Sequence, residues 1–144
     1  MPKLSFILLV DDDSTTNFLN ELMLRKLAVA DQLLVALNGK EALDILLEHC
    51  ESPVSPCPLL VFLDINMPVM NGFEFLEAYA QLPWAKQRAT VIVMLTTSLH
   101  ARDTQRAKQL HVADFISKPL TPEKVTAIVK KHFPQDYWSH APQP

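Results

Sequence analysis

Glycine is scarce in this sequence: of 144 residues, two are glycines, Gly39 and Gly72. Loops that hold phosphate through backbone amides need several glycines within a few positions. Neither a GxGxxG motif nor a Walker loop can be formed here, which argues against a nucleotide-binding protein of the usual kind. If phosphate takes part in the function, groups other than a glycine-rich loop must bind it.

Long apolar runs and a surplus of positive charge are missing as well. The segments LSFILLV, LLVFL and VIVML are far too short to span a bilayer. The formal net charge is −3 and the basic residues form no stripe, so neither nucleic acid nor a membrane surface is an expected partner. We expect a cytoplasmic protein.

Cysteine is nearly absent too, with Cys50 and Cys57 flanking the proline-rich segment CESPVSPCP. A zinc site would need a second pair of ligands, which the sequence does not supply. Two thiols in one loop could form a disulfide, but cytoplasmic proteins keep most thiols reduced. The prediction is therefore two reduced thiols without a catalytic role.

Five short aliphatic segments alternate with segments of helical periodicity. Strands are predicted over Leu4–Val10, Leu33–Ala36, Leu59–Leu63, Thr90–Leu95 and Phe115–Ile116. Their nearly continuous hydrophobicity is typical of strands buried on both faces of a parallel sheet. The alternation predicts an α/β fold: a flavodoxin-like, doubly wound, five-stranded parallel sheet of order 2-1-3-4-5 with five helices. Residues 1–133 would form this domain and residues 134–144, which show no periodicity, a C-terminal tail.

Capping patterns predict where three of the helices begin. Asn71 is followed three residues later by Glu74, and Thr121 is followed directly by Pro122, as in N-terminal caps. Asp13 precedes the first helical pattern and is interpreted as its cap.

Polar side chains with useful chemistry follow four of the predicted strands. Asp11 and Asp12 follow the first strand, Asp64 the third, Thr96 the fourth and Lys118 the fifth. In an open parallel sheet these points share the carboxyl edge, and the order 2-1-3-4-5 makes the first and third strands neighbours. We therefore expect the three aspartates to converge on one small volume.

Three carboxylates in one volume raise each other's pKa unless a cation lies between them. One or two carboxylates, a backbone carbonyl and several waters suit Mg²⁺ better than Ca²⁺, which needs a fuller cage of protein oxygens. Histidine is absent from these turns, which disfavours zinc. The sequence thus predicts a magnesium site at Asp11, Asp12 and Asp64.

The remaining residues of this edge fit phosphoryl chemistry. A carboxylate such as Asp64 can attack phosphorus and form an aspartyl-phosphate. The metal and the Lys118 ammonium would stabilise the charge of the transferring group, and the Thr96 hydroxyl would donate to one of its oxygens. The five histidines are scattered along the chain, which predicts that a phosphohistidine donor belongs to a partner protein.

The motifs LLVDDD, FLDINMPVMNGFEFL, VIVMLTTS and ADFISKPLT occur in this order between about Leu4 and His132. Together they resemble the receiver domain of two-component response regulators, CheY-like and here stand-alone. The resemblance implies phosphorelay signalling, in which Asp64 accepts a phosphoryl group from a sensor histidine kinase or a phosphotransfer protein. The chain would then be no enzyme, apart from its own phosphorylation and dephosphorylation.

The resemblance also implies a ligand set for the metal. Asp12 and Asp64 would bind Mg²⁺ directly, Asp11 through a water molecule, and Asn66 through its backbone carbonyl.

A second group of residues is implied to switch the protein between two states. Lys118 would pair with the phosphoryl group and Pro119 would follow a cis peptide bond. Thr96 would move toward the phosphorylated site, and Phe115 would fill the space that it leaves. A downstream protein would bind the face formed by the fourth helix, fifth strand and fifth helix of a monomer or weak dimer. The polar segment Ala101–His111, a weakly anchored helix, suits a movable element.

Two other functions compete with this interpretation. LLVDDDST also fits the haloacid-dehalogenase phosphatase pattern, with Asp11 as nucleophile, Asp13 as acid and base, and Thr96 and Lys118 as phosphate ligands. That pattern lacks its acidic pair after Lys118 here and leaves Asp64 without a role. The other alternative is a scaffold that binds partners independently of phosphorylation.

Overall fold

The computed structural model describes residues 4–50, 58, 60–83, 90–97, 101–110 and 112–133. Strands and helices alternate along these ranges. They are β1 (Leu4–Val10), α1 (Ser14–Leu27), β2 (Ala30–Ala36), α2 (Gly39–His49), β3 (Leu60–Asp64), α3 (Gly72–Ala80), β4 (Val91–Thr96), α4 (Ala101–Gln109), β5 (Asp114–Ser117) and α5 (Pro122–His132).

The five strands form one parallel sheet in the order β2-β1-β3-β4-β5, which confirms the predicted doubly wound topology. β1 pairs with β2 on one side and with β3 on the other, so the strand order reverses at β1. Ligand sites of open α/β sheets lie at such a reversal, beyond the carboxyl ends of the strands.

Each face of the sheet carries its own hydrophobic core. Alternate residues of β1 point to opposite faces, as the two-residue repeat of a strand requires. Ile7 and Leu9 pack with residues of α1 and α5, whereas Leu8 and Val10 pack with residues of α2, α3 and α4. Coverage of both faces explains why the central strands are almost entirely apolar.

Strand boundaries differ from the prediction in ways that matter for the site. β2 begins at Ala30 instead of Leu33, because an edge strand tolerates exposed polar residues such as Asp31 and Gln32. Asp64 and Thr96 were predicted to follow their strands, but each is the last residue of one. Asp64 is paired with Leu95 of β4 and Thr96 with Ser117 of β5, so regular strand pairing holds the backbone of both residues.

The three predicted helix caps are confirmed. The Asp13 carboxylate accepts hydrogen bonds from the Thr15 and Thr16 amides at the start of α1. α3 begins with a capping box formed by Asn71 and Glu74. α5 begins with the Thr121 cap, which is followed directly by a proline.

The prediction for the cysteines is wrong for Cys50, which ends α2 and is disulfide-bonded. The sequence offers one other cysteine, Cys57, which lies outside the described residues. The prediction was based on the redox state expected for a compartment, whereas pairing depends on the distance between two sulfur atoms.

The predicted tail, residues 134–144, lies outside the described residues, so the boundary at residue 133 stays a prediction. In the part of the chain that is described, no helix has both the length and the apolar character needed to cross a membrane.

Ala28 ends α1 in a left-handed conformation, with φ 54° and ψ 40°. A Cβ atom is strained there, whereas glycine adopts the conformation freely. We expect Ala28→Gly to raise the free energy of unfolding by about 1 kcal/mol, measured by urea denaturation. Ala127→Gly, the same change at an exposed position inside α5, should instead lower it by about 1 kcal/mol. Equal effects of the two changes would contradict this explanation.

Candidate functional site

The reversal of strand order brings three aspartates together at the carboxyl edge. Val10 and Leu63 are paired across β1 and β3, so the next residues, Asp11 and Asp64, lie side by side. One carboxylate oxygen from each of Asp11, Asp12 and Asp64 lies within 4.8 Å of the other two. Asp11 and Asp64 are 4% and 8% exposed, whereas Asp12 faces solvent. Two buried carboxylates and one accessible carboxylate thus define an acidic pocket that opens outward.

Lys118 joins this pocket from the end of β5. Its Nζ atom lies 2.7 Å from Asp11 Oδ2 and 3.2 Å from Asp64 Oδ1. The Lys118 backbone amide donates to the Thr96 carbonyl at 2.7 Å, which continues the pairing of β4 and β5 for one more residue. The peptide bond between Lys118 and Pro119 is cis, as the resemblance implied.

Burial and charge act in opposite directions on these groups. Burial, together with the neighbouring charge of Asp11, raises the pKa of Asp64, although the Lys118 ammonium lowers it in part. Burial alone would lower the pKa of Lys118, but its hydrogen bond to Asp11 and the charge of Asp64 raise it. Lys118 therefore stays protonated at neutral pH, while the ionised form of Asp64 is disfavoured and gains from any further cation.

The donor set fits a hard divalent cation. Every candidate ligand atom is a carboxylate oxygen, and three carboxylates face one ammonium, so the pocket carries excess negative charge. Asp11 Oδ1 accepts from the Asp13 amide at 2.9 Å, and Asp64 Oδ1 accepts from the Ile65 amide at 2.9 Å. These bonds fix the carboxylates in place before any ion binds. A small oxygen-seeking ion that keeps part of its water shell suits such an open pocket.

The other predicted site residues are Thr96, Asn66 and Phe115. Thr96 is buried at the end of β4, opposite Ser117 of β5. Asn66 lies two residues beyond Asp64 and is exposed. Phe115 is half-buried opposite Met94 and packs against the core on the side of α2, α3 and α4. The switching roles of Thr96 and Phe115 stay predictions.

Asn17 belongs to the site but was not predicted from the sequence. It lies on the buried side of α1, 2% exposed, and its Nδ2 atom donates to the Asp11 carbonyl at 2.8 Å. The apolar residues Phe18, Leu19 and Leu22 of the same helix are exposed. A polar residue next to an apolar helical pattern was the one signal that could have revealed this role.

Gly72 is the second residue of the site whose role the sequence did not reveal. A Cβ atom on Gly72 would lie 2.5 Å from the Asp64 carbonyl oxygen and 3.1 Å from Ile65 Cα. Its amide donates to the Ile65 carbonyl at 2.8 Å. The start of α3 therefore packs directly against the backbone that carries Asp64, which only glycine permits.

We expect Gly72→Ala to lower the free energy of unfolding by about 3 kcal/mol, because the added methyl group meets rigid backbone. Since the displaced backbone is that of Asp64, divalent-cation affinity measured by calorimetry should fall as well. Gly39→Ala is the comparison, because a Cβ there would lie 2.8 Å from Met70 Cγ and 2.9 Å from the Met70 carbonyl oxygen, not against the Asp64 backbone. It should cost stability and leave cation affinity intact. Unchanged cation affinity in Gly72→Ala would refute this view of the residue.

The Asp13 carboxylate is not one of the three that form the acidic pocket, although its backbone amide donates to Asp11. Hydrogen bonds from the Thr16 side chain and from the Thr15 and Thr16 amides lower the pKa of Asp13. A carboxylate held in its ionised form as a helix cap is unsuited to donate a proton, which was its role in the phosphatase alternative. The geometry thus removes one of the residues on which that alternative depended.

The fold and the pocket together define a doubly wound α/β protein with an acidic site and a lysine at the reversal of its strand order. The sequence profile of the response regulator receiver domain matches residues 7–130. The chain belongs to the response regulator receiver domain family, whose members are generally non-catalytic proteins of two-component signalling, and this membership is evidence against the phosphatase alternative.

Several relatives are similar to this chain over most of their length. The response regulator Rcp1 of Synechocystis sp. is 32% identical over 112 residues, which cover 78% of this chain and 75% of Rcp1. A crystal structure of a two-component response regulator from Cytophaga hutchinsonii superposes with a TM-score of 0.80 at 29% identity, covering 90% of this chain and 97% of that one. The Mn²⁺-bound form of Rcp1 superposes with a TM-score of 0.67 at 28% identity, covering 97% and 98%.

Proposed function

We propose that this receiver domain takes up a phosphoryl group on Asp64 and thereby switches a protein-binding surface. The observation that carries the proposal is the cluster of Asp11, Asp12 and Asp64 with the Lys118 ammonium on two of the three carboxylates. The match to the response regulator receiver domain over residues 7–130 supports a role for this modification in signalling.

Mg²⁺ is the cofactor that we propose for this site. Asp12 and Asp64 would bind it directly, Asp11 through water, and Asn66 through its backbone carbonyl. When bound, the ion would offset the charge of the carboxylates and of the incoming phosphoryl oxygens. The Mn²⁺-bound structure of Rcp1 supports a divalent ion in a relative of similar fold.

Asp64 would act as the nucleophile. One of its carboxylate oxygens forms a bond to phosphorus while the bond from phosphorus to the donor nitrogen or oxygen breaks, and the donor leaves with that electron pair. Lys118 would keep its ammonium within reach of the transferring oxygens, and the Thr96 hydroxyl would donate to one of them. Because Lys118 already contacts Asp64, little reorganisation is needed at the moment of transfer.

The donor would be a sensor histidine kinase or a phosphotransfer protein, and the reaction would take place in the cytoplasm. Output would pass through the face of α4, β5 and α5 to a downstream protein, with the domain acting as a monomer or weak dimer. Thr96 and Phe115 would couple phosphorylation to that face.

The attachment of α4 supports its role as a movable element. Among its side chains that the structure describes, Ala107 alone is fully buried. Arg106 forms an ion pair with Glu77, with 3.0 Å between Nη2 and Oε1. Its Cζ atom also lies 4.5 Å from the centre of the Phe73 ring of α3. An exposed ion pair and one cation–π contact stabilise by about 1 kcal/mol each or less, so α4 can shift at low cost.

The experiment that tests the proposal is incubation of the protein with acetyl phosphate and MgCl₂, followed by intact-mass spectrometry. We expect the mass of one phosphoryl group to appear, and to be absent when EDTA replaces MgCl₂. Hydroxylamine, which cleaves acyl phosphates, should remove it. No mass gain where a known receiver domain is modified would refute the proposal and favour the phosphorylation-independent scaffold.

A further inference from the structure

Lys124 in the first turn of α5 makes a set of bonds that neither the fold nor the acidic pocket requires. Its Nζ atom donates to the Ser117 carbonyl at 2.7 Å and to the Pro119 carbonyl at 2.9 Å, with the Ser117 hydroxyl at 3.5 Å. These two carbonyls lie immediately before and after Lys118. The ammonium of Lys124 therefore holds the backbone on both sides of Lys118, whose side chain enters the acidic pocket.

The position of Lys124 is unfavourable for a lysine on helical grounds. Thr121 caps α5 and Pro122 is its first residue, so Lys124 lies in the first turn. Positive charge near a helix N-terminus is destabilised by the helix dipole. The side chain folds back onto carbonyls outside the helix, and charge-assisted hydrogen bonds to them offset this cost. These hydrogen bonds therefore stabilise the loop of residues 117–119 and not the helix.

This loop decides where Lys118 points. The Lys118 amide is held by the Thr96 carbonyl, and the carbonyls on either side of Lys118 are held by Lys124. With both sides fixed, the Lys118 side chain reaches Asp11 and Asp64 from one direction. Without Lys124 the carbonyls would turn to water, and the ammonium of Lys118 would spend less time in the pocket.

We propose that Lys124 is a positioning residue for phosphoryl transfer, which acts by fixing the loop that aims Lys118. The inference rests on the proposed function for its effect on rate, but its effect on the loop is independent of phosphorylation. Lys124 touches neither the acidic pocket nor the transferring group. Its removal should therefore slow phosphoryl uptake without weakening Mg²⁺ binding, since an ammonium that leaves the carboxylates no longer competes with the ion.

The kinetic test compares Lys124→Met, Lys124→Arg and Lys130→Met in the full chain, with acetyl phosphate at saturating Mg²⁺. We expect Lys124→Met to take up phosphoryl about tenfold more slowly, with a Mg²⁺ dissociation constant no larger than that of the unmodified protein, since small misplacements of a catalytic group have effects of at least this size. Lys124→Arg can still donate to both carbonyls and should keep most of the rate. Lys130→Met removes the same charge from an exposed position of α5 and should match the unmodified protein. Equal rates for Lys124→Met and Lys130→Met would overturn the inference.

A thermodynamic cycle tests the loop without any phosphoryl donor. Lys118→Met is made in the unmodified protein and in Lys124→Met, and urea midpoints are measured in EDTA. If Lys124 aims Lys118, the shift caused by Lys118→Met should be at least halved when Lys124 is already absent. Additive shifts would overturn the inference. Failure of the unmodified protein to accept phosphoryl would instead count against the proposed function, while the cycle still decides the role of Lys124.

Discussion

Replacing Asp64 by asparagine is expected to abolish phosphoryl uptake from acetyl phosphate, as read by intact-mass spectrometry. The amide keeps the shape of the side chain but lacks the anionic oxygen that attacks phosphorus. It also removes one carboxylate of the acidic pocket, so Mg²⁺ affinity should fall in a calorimetric titration. Asp44→Asn, which removes the same charge from an exposed residue of α2, is the matched control and should be phosphorylated normally.

The same variant should not lose stability, which separates loss of function from unfolding. Burial raises the pKa of Asp64, so the folded protein disfavours its ionised form. A raised pKa in the folded state means that the carboxyl group lowers stability above its ordinary pKa, and that this penalty disappears as the pH falls. In EDTA at pH 7, Asp64→Asn should thus be at least as stable as the unmodified protein. Phosphoryl uptake by a folded Asp64→Asn variant would refute the assignment of the nucleophile.

Lys118→Met should have the largest effect on stability in the absence of a divalent ion. The Lys118 side chain is 19% exposed and contacts carboxylates that are 5% and 11% exposed, so its removal leaves two buried negative charges uncompensated. Breaking a buried ion pair in this way costs about 3 kcal/mol, to be measured by urea unfolding in EDTA. Because Mg²⁺ can replace the lost positive charge, saturating Mg²⁺ should restore a large part of this loss.

A matched lysine is available as the control. Lys40 pairs with Asp44 at 3.1 Å, but both side chains are more than half exposed. Lys40→Met should therefore cost less than about 0.5 kcal/mol, with no dependence on Mg²⁺. Equal stability losses for the two lysine variants would show that Lys118 is not held in the pocket as described.

Phosphoryl uptake by Lys118→Met should also fall, on the order of 10²-fold, because one stabilising charge is lost from the transition state.

Several features of the molecule could be predicted because they depend on local chemistry. The caps at Asp13, Asn71 and Thr121 follow from side chains that accept amide hydrogens of the next turn. The sheet order could be predicted because apolar strands that alternate with helices have few ways to bury both faces. The convergence of Asp11 and Asp64 then follows from that order alone.

Other features depend on how side chains are placed in three dimensions. Phe18 and Leu22 of α1 are exposed, whereas Asn17 is buried and donates a hydrogen bond to the Asp11 carbonyl. The bond of Cys50 depends on where a second sulfur lies, which residue types cannot specify.

The sequence by itself determined the class of fold, the edge of the sheet that carries the chemistry, and the oxygen-rich character of the site. These depend on periodicity and on which residue ends each strand. Only the tertiary structure decided that Lys118 forms ion pairs with two carboxylates. It also decided that Gly72 leaves room for the Asp64 backbone and that Lys124 donates hydrogen bonds to the loop around Lys118. The physical reason is that hydrogen bonds and close packing depend on distances of a few tenths of an ångström, which are set only when the elements are packed together.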